Sequence, residues 1–107
     1  MNKVTAAILL FSGTLNPEQE LSTDEEKELR VLVDSLSKPS DEPRINKLGF
    51  SGFAIHWNDK YVKVKNNVVE VFEKNVYPHK IYQDNGIENK LRLIFLNSVF
   101  KNQVPNV

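Results

Sequence analysis

Apolar and polar residues alternate along three consecutive segments of the chain, Gly49–Trp57, Lys60–Lys65 and Val68–Glu73. Alternation with a period of two is typical of strands that have one buried face. The pairs Asn58-Asp59 and Asn66-Asn67 separate the segments, and asparagine tolerates the positive φ that tight hairpin turns need. The pattern therefore predicts an antiparallel meander of three strands.

Two-residue turns would fix the register of this meander. Every core pair then joins apolar residues on one face: Phe53 with Val64, Ile55 with Val62, Val64 with Val69 and Val62 with Val71. The opposite face carries the row His56–Tyr61–Phe72 and, beside it, the row Ala54–Lys63–Glu70. A slip by one residue would scatter the apolar set over both faces, so the pattern favours this register.

The segment Val4–Phe11 is apolar at both alternating sets of positions, which is typical of a central strand covered on both faces. No A-x-A-like cleavage site follows it, so we interpret it as a buried strand and not as a signal peptide. Its long connection to the meander permits a parallel pairing, which leaves a mixed sheet as an alternative to a fully antiparallel one. Lys80–Tyr82 is a candidate for one further short antiparallel strand.

A first helix is predicted from Ser22 to Ser37. Ser22-x-x-Glu25 and Thr23-x-x-Glu26 both match the capping-box pattern. Apolar residues recur at helical spacing at Leu29, Leu32, Val33 and Leu36. Lys38-Pro39 ends the helix, and the polar residues 39–47 are predicted to form a flexible loop.

A second helix is predicted from about Gly86 to Phe100, with Asn85 as its N-cap residue and Glu88 as the acidic residue three positions later. One apolar stripe comprises Ile87, Leu91, Ile94, Phe95 and Val99, and a second comprises Leu93, Leu96 and Phe100. A helix that is apolar on two sides is either buried between layers or shared with a partner. The second stripe therefore predicts either intramolecular core or a protein interface, including a homodimer.

These elements predict a single α+β domain over residues 1–107, with the order β-α-β-β-β-α and a C-terminal tail at 101–107. The sheet is expected to be mainly antiparallel, with about four strands packed against two helices. A chain of 107 residues has the usual length of one domain and can bury a core without disulfides or metals.

Composition narrows the function classes. The chain has no cysteine, which excludes disulfides, zinc sites built on thiolates and a cysteine nucleophile. It has 14 basic and 14 acidic residues, so it lacks the basic excess of a dedicated nucleic-acid binder. The absence of cysteine favours the cytoplasm or another reducing compartment, and no segment is long enough to span a membrane.

The sequence identifies no catalytic, cofactor-binding or metal-ligating residue. Candidates for a partner or ligand surface are the row His56, Tyr61 and Phe72 and the stripe Leu93, Leu96 and Phe100. The row has a purely structural alternative, in which it is half-buried beneath the C-terminal helix. No Walker loop, dinucleotide fingerprint or nucleophile elbow is present.

Two functional hypotheses follow, and a third, a nucleic-acid module, is disfavoured by the balance of charges. The first is a small, non-enzymatic binding or protein-interaction module that presents one of these two surfaces to a partner protein or to a second copy of itself. The second is a small enzyme or small-ligand binder that uses His56 or His79 with a nearby carboxylate. The second hypothesis requires a concave pocket with a histidine and a carboxylate within hydrogen-bonding distance of each other.

Overall fold

Six strands and two helices make up the part of the chain that the computed structural model describes, which is residues 4–10, 17–40, 50–76, 80–100 and 102. The elements are β1 (Thr5–Leu10), β2 (Glu18–Glu20), α1 (Thr23–Asp34), β3 (Phe50–His56), β4 (Lys60–Lys65), β5 (Val68–Glu73), β6 (Lys80–Gln83) and α2 (Ile87–Leu96). They form a single α+β domain with one open sheet in the order β2-β1-β3-β4-β5-β6.

All five strand pairings in the described chain are antiparallel, so the mixed-sheet alternative is wrong. The predicted order and the estimate of about four strands are also wrong in detail, because the observed order is β-β-α-β-β-β-β-α. The further strand expected at Lys80–Tyr82 is present as β6. The unexpected strand is β2, whose three residues include two glutamates and therefore give no apolar alternation.

The predicted meander register is confirmed. Ile55 lies opposite Val62, and Val62 lies opposite Val71. The first turn is closed by a 2.9 Å hydrogen bond from the Trp57 backbone N–H to the Lys60 carbonyl. In the second turn Asn66 and Asn67 have φ angles of 51° and 69°, the left-handed conformation that such turns require.

Gly52 marks a close backbone approach on β3. Its φ angle is +109°, and a Cβ atom there would lie 2.4 Å from the carbonyl oxygen of Val64. The register between β1 and β3 shifts at the neighbouring positions Leu9 and Leu10. A side chain at Gly52 would therefore clash with β4 and distort the sheet.

Both helices pack on the same face of the sheet. The buried core combines helix residues such as Leu29 and Phe95 with strand residues such as Phe53 and Val62. Because side chains alternate along a strand, neither helix covers the opposite face, which we call the helix-free face. In β1, Ala6 and Ile8 are buried against the helices, whereas the alternate residues Thr5, Ala7 and Leu9 are only half-buried. β1 is therefore a central strand, as expected, but only its helix-facing side is fully buried.

Helix α1 begins as predicted. Ser22 is its N-cap residue, and Ser22 and Glu25 form a reciprocal capping box. The helix ends at Asp34, three residues before the predicted end at Ser37. Pro39, at the start of the predicted loop 39–47, forms a bridge with Tyr82, while residues 41–49 lie outside the described part.

Helix α2 differs from the prediction at both ends. Gly86, and not Asn85, is the N-cap residue. The side chain that accepts hydrogen bonds from the first backbone N–H groups is that of Asp84. The helix ends at Leu96 because the Asn97 and Ser98 side chains hydrogen-bond to the carbonyls of Leu93 and Phe95 and compete with the helical pattern. The predicted tail at 101–107 lies outside the described part, apart from residue 102.

Within the described residues, neither helix is long and apolar enough to cross a membrane.

Candidate functional site

The three residues of the predicted row, His56, Tyr61 and Phe72, lie side by side on β3, β4 and β5, on the helix-free face. We call them the aromatic row. The rings of His56 and Tyr61 pack edge to face with centroids 5.8 Å apart, and those of Tyr61 and Phe72 are 5.9 Å apart. His56 is exposed, and the other two are half-buried. Since α2 packs on the opposite face, the alternative of a row beneath the C-terminal helix is wrong.

The aromatic row forms one wall of a groove of about 590 Å³ at the end of the sheet, near the turn between β3 and β4. We call it the end groove. Its other lining residues come from this turn and from the end of β5: Trp57, Asn58, Asp59, Lys60, Glu73, Lys74 and Val76. Aromatic rings therefore meet two lysines and two carboxylates, which is a combination suited to a ligand or side chain with an apolar body and a polar end.

The Tyr61 hydroxyl is kept in its neutral form. Burial raises the pKa of Tyr61 above its ordinary value of 10.0, and the negative charge of Glu18 on β2 raises it further. A neutral phenol both donates and accepts a hydrogen bond. The Tyr61 hydroxyl is therefore a hydrogen-bonding group on the helix-free face, and the Tyr61 ring lies between those of His56 and Phe72.

The histidine–carboxylate pair that general acid–base catalysis by His56 would use is not formed among the described residues. Among the described residues, no carboxylate forms an ion pair or hydrogen bond with the His56 ring. No group of three or more potential metal ligands occurs in the same part of the chain. His79, the other candidate histidine, lies outside the described residues.

The predicted second stripe of α2 is divided between surface and core. Leu93 and Leu96 are 49% and 44% exposed; we call them the outer leucines. Phe100 instead packs on the core, with its ring 6.4 Å from that of Phe95. Val99, which was expected on the buried stripe, is 88% exposed because the helix ends before it.

Sequence reasoning missed a three-residue cluster that joins α1 to the end of β3. The Trp57 indole N–H donates to Glu26 at 2.9 Å, and Arg30 donates to the same carboxylate oxygen at 2.7 Å. The Arg30 guanidinium also lies 5.4 Å from the centre of the Trp57 ring. Only the Glu26–Arg30 spacing of four residues was visible in the sequence; the tryptophan is 31 positions away from Glu26.

These contacts affect the charge of the Glu26 carboxyl group. The hydrogen bond from Trp57 is the largest cause that lowers the pKa of Glu26 below 4.5, and Arg30 lowers it further against an opposing effect of burial. Glu26 therefore remains a carboxylate under mildly acidic conditions. The cluster borders a second groove of about 650 Å³, lined by the end of β2, the start of α1 and the first meander turn. The polar groups of the cluster itself already bond to one another.

Comparisons with protein-family models, with curated proteins and with solved structures gave no significant match to this chain. The chemistry of the described surfaces is therefore the basis on which a function is proposed.

Proposed function

We propose that this protein is a small, non-enzymatic binding or protein-interaction module that contacts its partner through the aromatic row and the adjoining end groove. One observation supports this most: three ring side chains from three adjacent strands stand together on the face that neither helix covers. Aromatic residues are enriched at the centres of protein interfaces because they bury much area with few rotatable bonds.

The sheet edges are poorer contact surfaces than the face. On the outer side of β6, the Gln83 N–H donates to the Lys38 carbonyl at 2.7 Å, and the Ser40 N–H donates to the Ile81 carbonyl at 3.2 Å. At the other edge, β2 has three residues, of which two are glutamates. Short or charged edges disfavour the addition of a strand from another chain, so a partner is expected to use side-chain contacts.

Affinity capture with matched variants tests the proposal. The chain is immobilised as wild type, as a row variant carrying His56→Ala and Tyr61→Ala, and as a helix variant carrying Leu93→Ala and Leu96→Ala. Both variants truncate two side chains, but on opposite sides of the molecule, and circular dichroism verifies that each is folded. An extract of the native cell is passed over each immobilised chain, and mass spectrometry identifies the proteins that are retained.

We expect a partner that the wild type and the helix variant retain and the row variant loses. Equal retention by all three would contradict the proposal, as would the absence of any retained protein. Loss in the helix variant alone would move the contact surface to the outer leucines.

A second candidate function is small-ligand binding in the end groove. The groove volume of about 590 Å³ lies within the usual range of roughly 300–1,000 Å³ for ligand sites. His56, Asp59 and Glu73 all line the groove, so a ligand bound there could contact the histidine and a carboxylate at the same time. Nuclear magnetic resonance (NMR) spectra recorded with mixtures of small aromatic compounds would show shifts of the Tyr61 and Phe72 signals if this function holds, and unchanged spectra would count against it.

A further inference from the structure

The dipeptide Asn85-Gly86 lies at the junction of the two helices. Gly86 is the N-cap residue of α2, and the Asn85 side-chain amide donates a 2.8 Å hydrogen bond to the carbonyl of Leu32 in α1. No other asparagine in the sequence precedes a glycine. We propose that Asn85 is a deamidation site, at which the folded protein converts asparagine to aspartate or isoaspartate with time.

The reaction uses only the chain and water. The backbone nitrogen of Gly86 loses its proton to solvent and attacks the side-chain carbonyl carbon of Asn85, forming a carbon–nitrogen bond. The bond from that carbon to Nδ2 breaks, and the nitrogen takes up a proton and leaves as ammonia. Water then opens the resulting five-membered succinimide at either carbonyl, which gives aspartate or isoaspartate.

The local geometry leaves room for this attack. Asn85 is exposed, and Gly86 has no side chain to obstruct the approach. Apart from Gly86 itself and its two chain neighbours, no heavy atom of the described residues lies within 4 Å of the position where a Cβ atom of Gly86 would stand. Other described segments of the chain therefore do not crowd the side of Gly86 where a side chain would stand.

Two hydrogen bonds must open before the ring can close. One is the bond from Asn85 to Leu32, and the other joins the Gly86 N–H to the Asp84 carboxylate at 3.2 Å, the long end of the usual range. The reaction rate therefore depends on how often the junction of the helices opens locally.

Deamidation would change the contact between the helices. A carboxylate at position 85 cannot donate to the Leu32 carbonyl, and it would add negative charge near the C-terminal end of α1, where the helix dipole is already negative. Isoaspartate would also lengthen the main chain by one carbon and displace Gly86 from the Asp84 carboxylate. Both products are expected to loosen the attachment of α2 to α1.

Peptide mapping by mass spectrometry tests the site. The full chain is incubated at mildly alkaline pH, folded in one sample and unfolded in urea in another. In the folded sample we expect the peptide containing Asn85 to gain the mass of deamidation before the peptide containing Asn97-Ser98. If the Asn85 peptide stays unmodified in the folded chain while it reacts in urea, the fold protects this residue and the proposal is wrong.

Thermal unfolding tests the structural consequence with the product mimic Asn85→Asp. We expect this substitution to lower Tm by about 4–8 °C, the shift that corresponds to a loss of about 1 kcal/mol in a domain of this size. Asn58→Asp, which makes the same change in an exposed turn, is the control and should leave Tm nearly unchanged. Equal Tm values for Asn85→Asp and the wild type would overturn the inferred loosening of the helices.

Discussion

At the scale of single residues, the hydrogen bond from Trp57 to Glu26 joins residues 31 positions apart and lowers the pKa of Glu26, which can be measured. We predict that Trp57→Phe raises the pKa of Glu26 towards 4.5, because the indole hydrogen bond is the largest cause that lowers it. The NMR chemical shift of the Glu26 carboxyl carbon, followed over a pH series, measures this change. Lys27→Gln is the control, since Lys27 contributes least of the causes, and an equal shift in both variants would contradict the assignment.

The same contact fixes the sign of a pH dependence. Because folding lowers the pKa of Glu26, its ionised form stabilises the protein above pH 4.5, and this contribution disappears as the pH falls through the folded-state pKa. Glu26→Gln should therefore reduce the free energy of unfolding by about 1 kcal/mol or less at neutral pH, as expected for a partly exposed ion pair. Urea unfolding should give nearly equal stabilities for variant and wild type at strongly acidic pH.

At the scale of elements, the sequence predicted regular patterns better than it predicted ends. The meander register could be read because apolar alternation and two-residue turns agree, and Ser22–Glu25 could be read because a capping box is local. The end of α2 could not, since it depends on Asn97 and Ser98 side chains that compete with the helix backbone. Strand β2 was missed because its pairing with β1 determines it.

The start of α2 is held by one carboxylate. The Asp84 carboxylate accepts hydrogen bonds from the backbone N–H groups of Gly86, Ile87 and Glu88, at 3.2, 2.8 and 3.2 Å. Asp84→Ala would leave these donors without their acceptor, so we expect it to lower the free energy of unfolding by about 0.5–2 kcal/mol. Hydrogen exchange at the three amides should also accelerate, because the first turn of the helix would fray.

A matched control for this cap is Asp34→Ala. Asp34 is exposed in the last turn of α1, where a negative charge is unfavourable to the helix dipole. Its removal should leave stability unchanged or raise it slightly. A similar loss of stability in both variants would mean that the Asp84 effect is not a capping effect.

At the scale of the whole molecule, the predicted surface residues fall in two separate places. The aromatic row could be predicted because it follows from the meander register alone. The sequence could not predict that Leu93 and Leu96 are exposed while Phe100 is packed on the core. This depends on where α2 ends and on the packing of Phe100 against Phe95. The Trp57 cluster also depends on how α1 lies over the sheet, and no local sequence pattern determines that contact.

The outer leucines are expected to support weak self-association of the chain. Two half-exposed leucines offer an apolar patch much smaller than the roughly 800 Å² per partner of a stable interface. A chain with a net charge of zero at pH 7 has little long-range repulsion to keep copies apart. We therefore expect weak, concentration-dependent self-association through α2, measured by light scattering over a concentration series, and not a stable homodimer.

Substitution identifies the surface responsible. Leu93→Ser with Leu96→Ser should abolish the concentration dependence, because it removes the apolar contact without changing the charge. Val31→Ser is the control, since Val31 is 64% exposed on the other helix. A wild type that stays monomeric at all concentrations would rule out self-association through α2. An effect of Val31→Ser equal to that of the double variant would assign association to general surface hydrophobicity, because exposed apolar side chains promote contact wherever they lie.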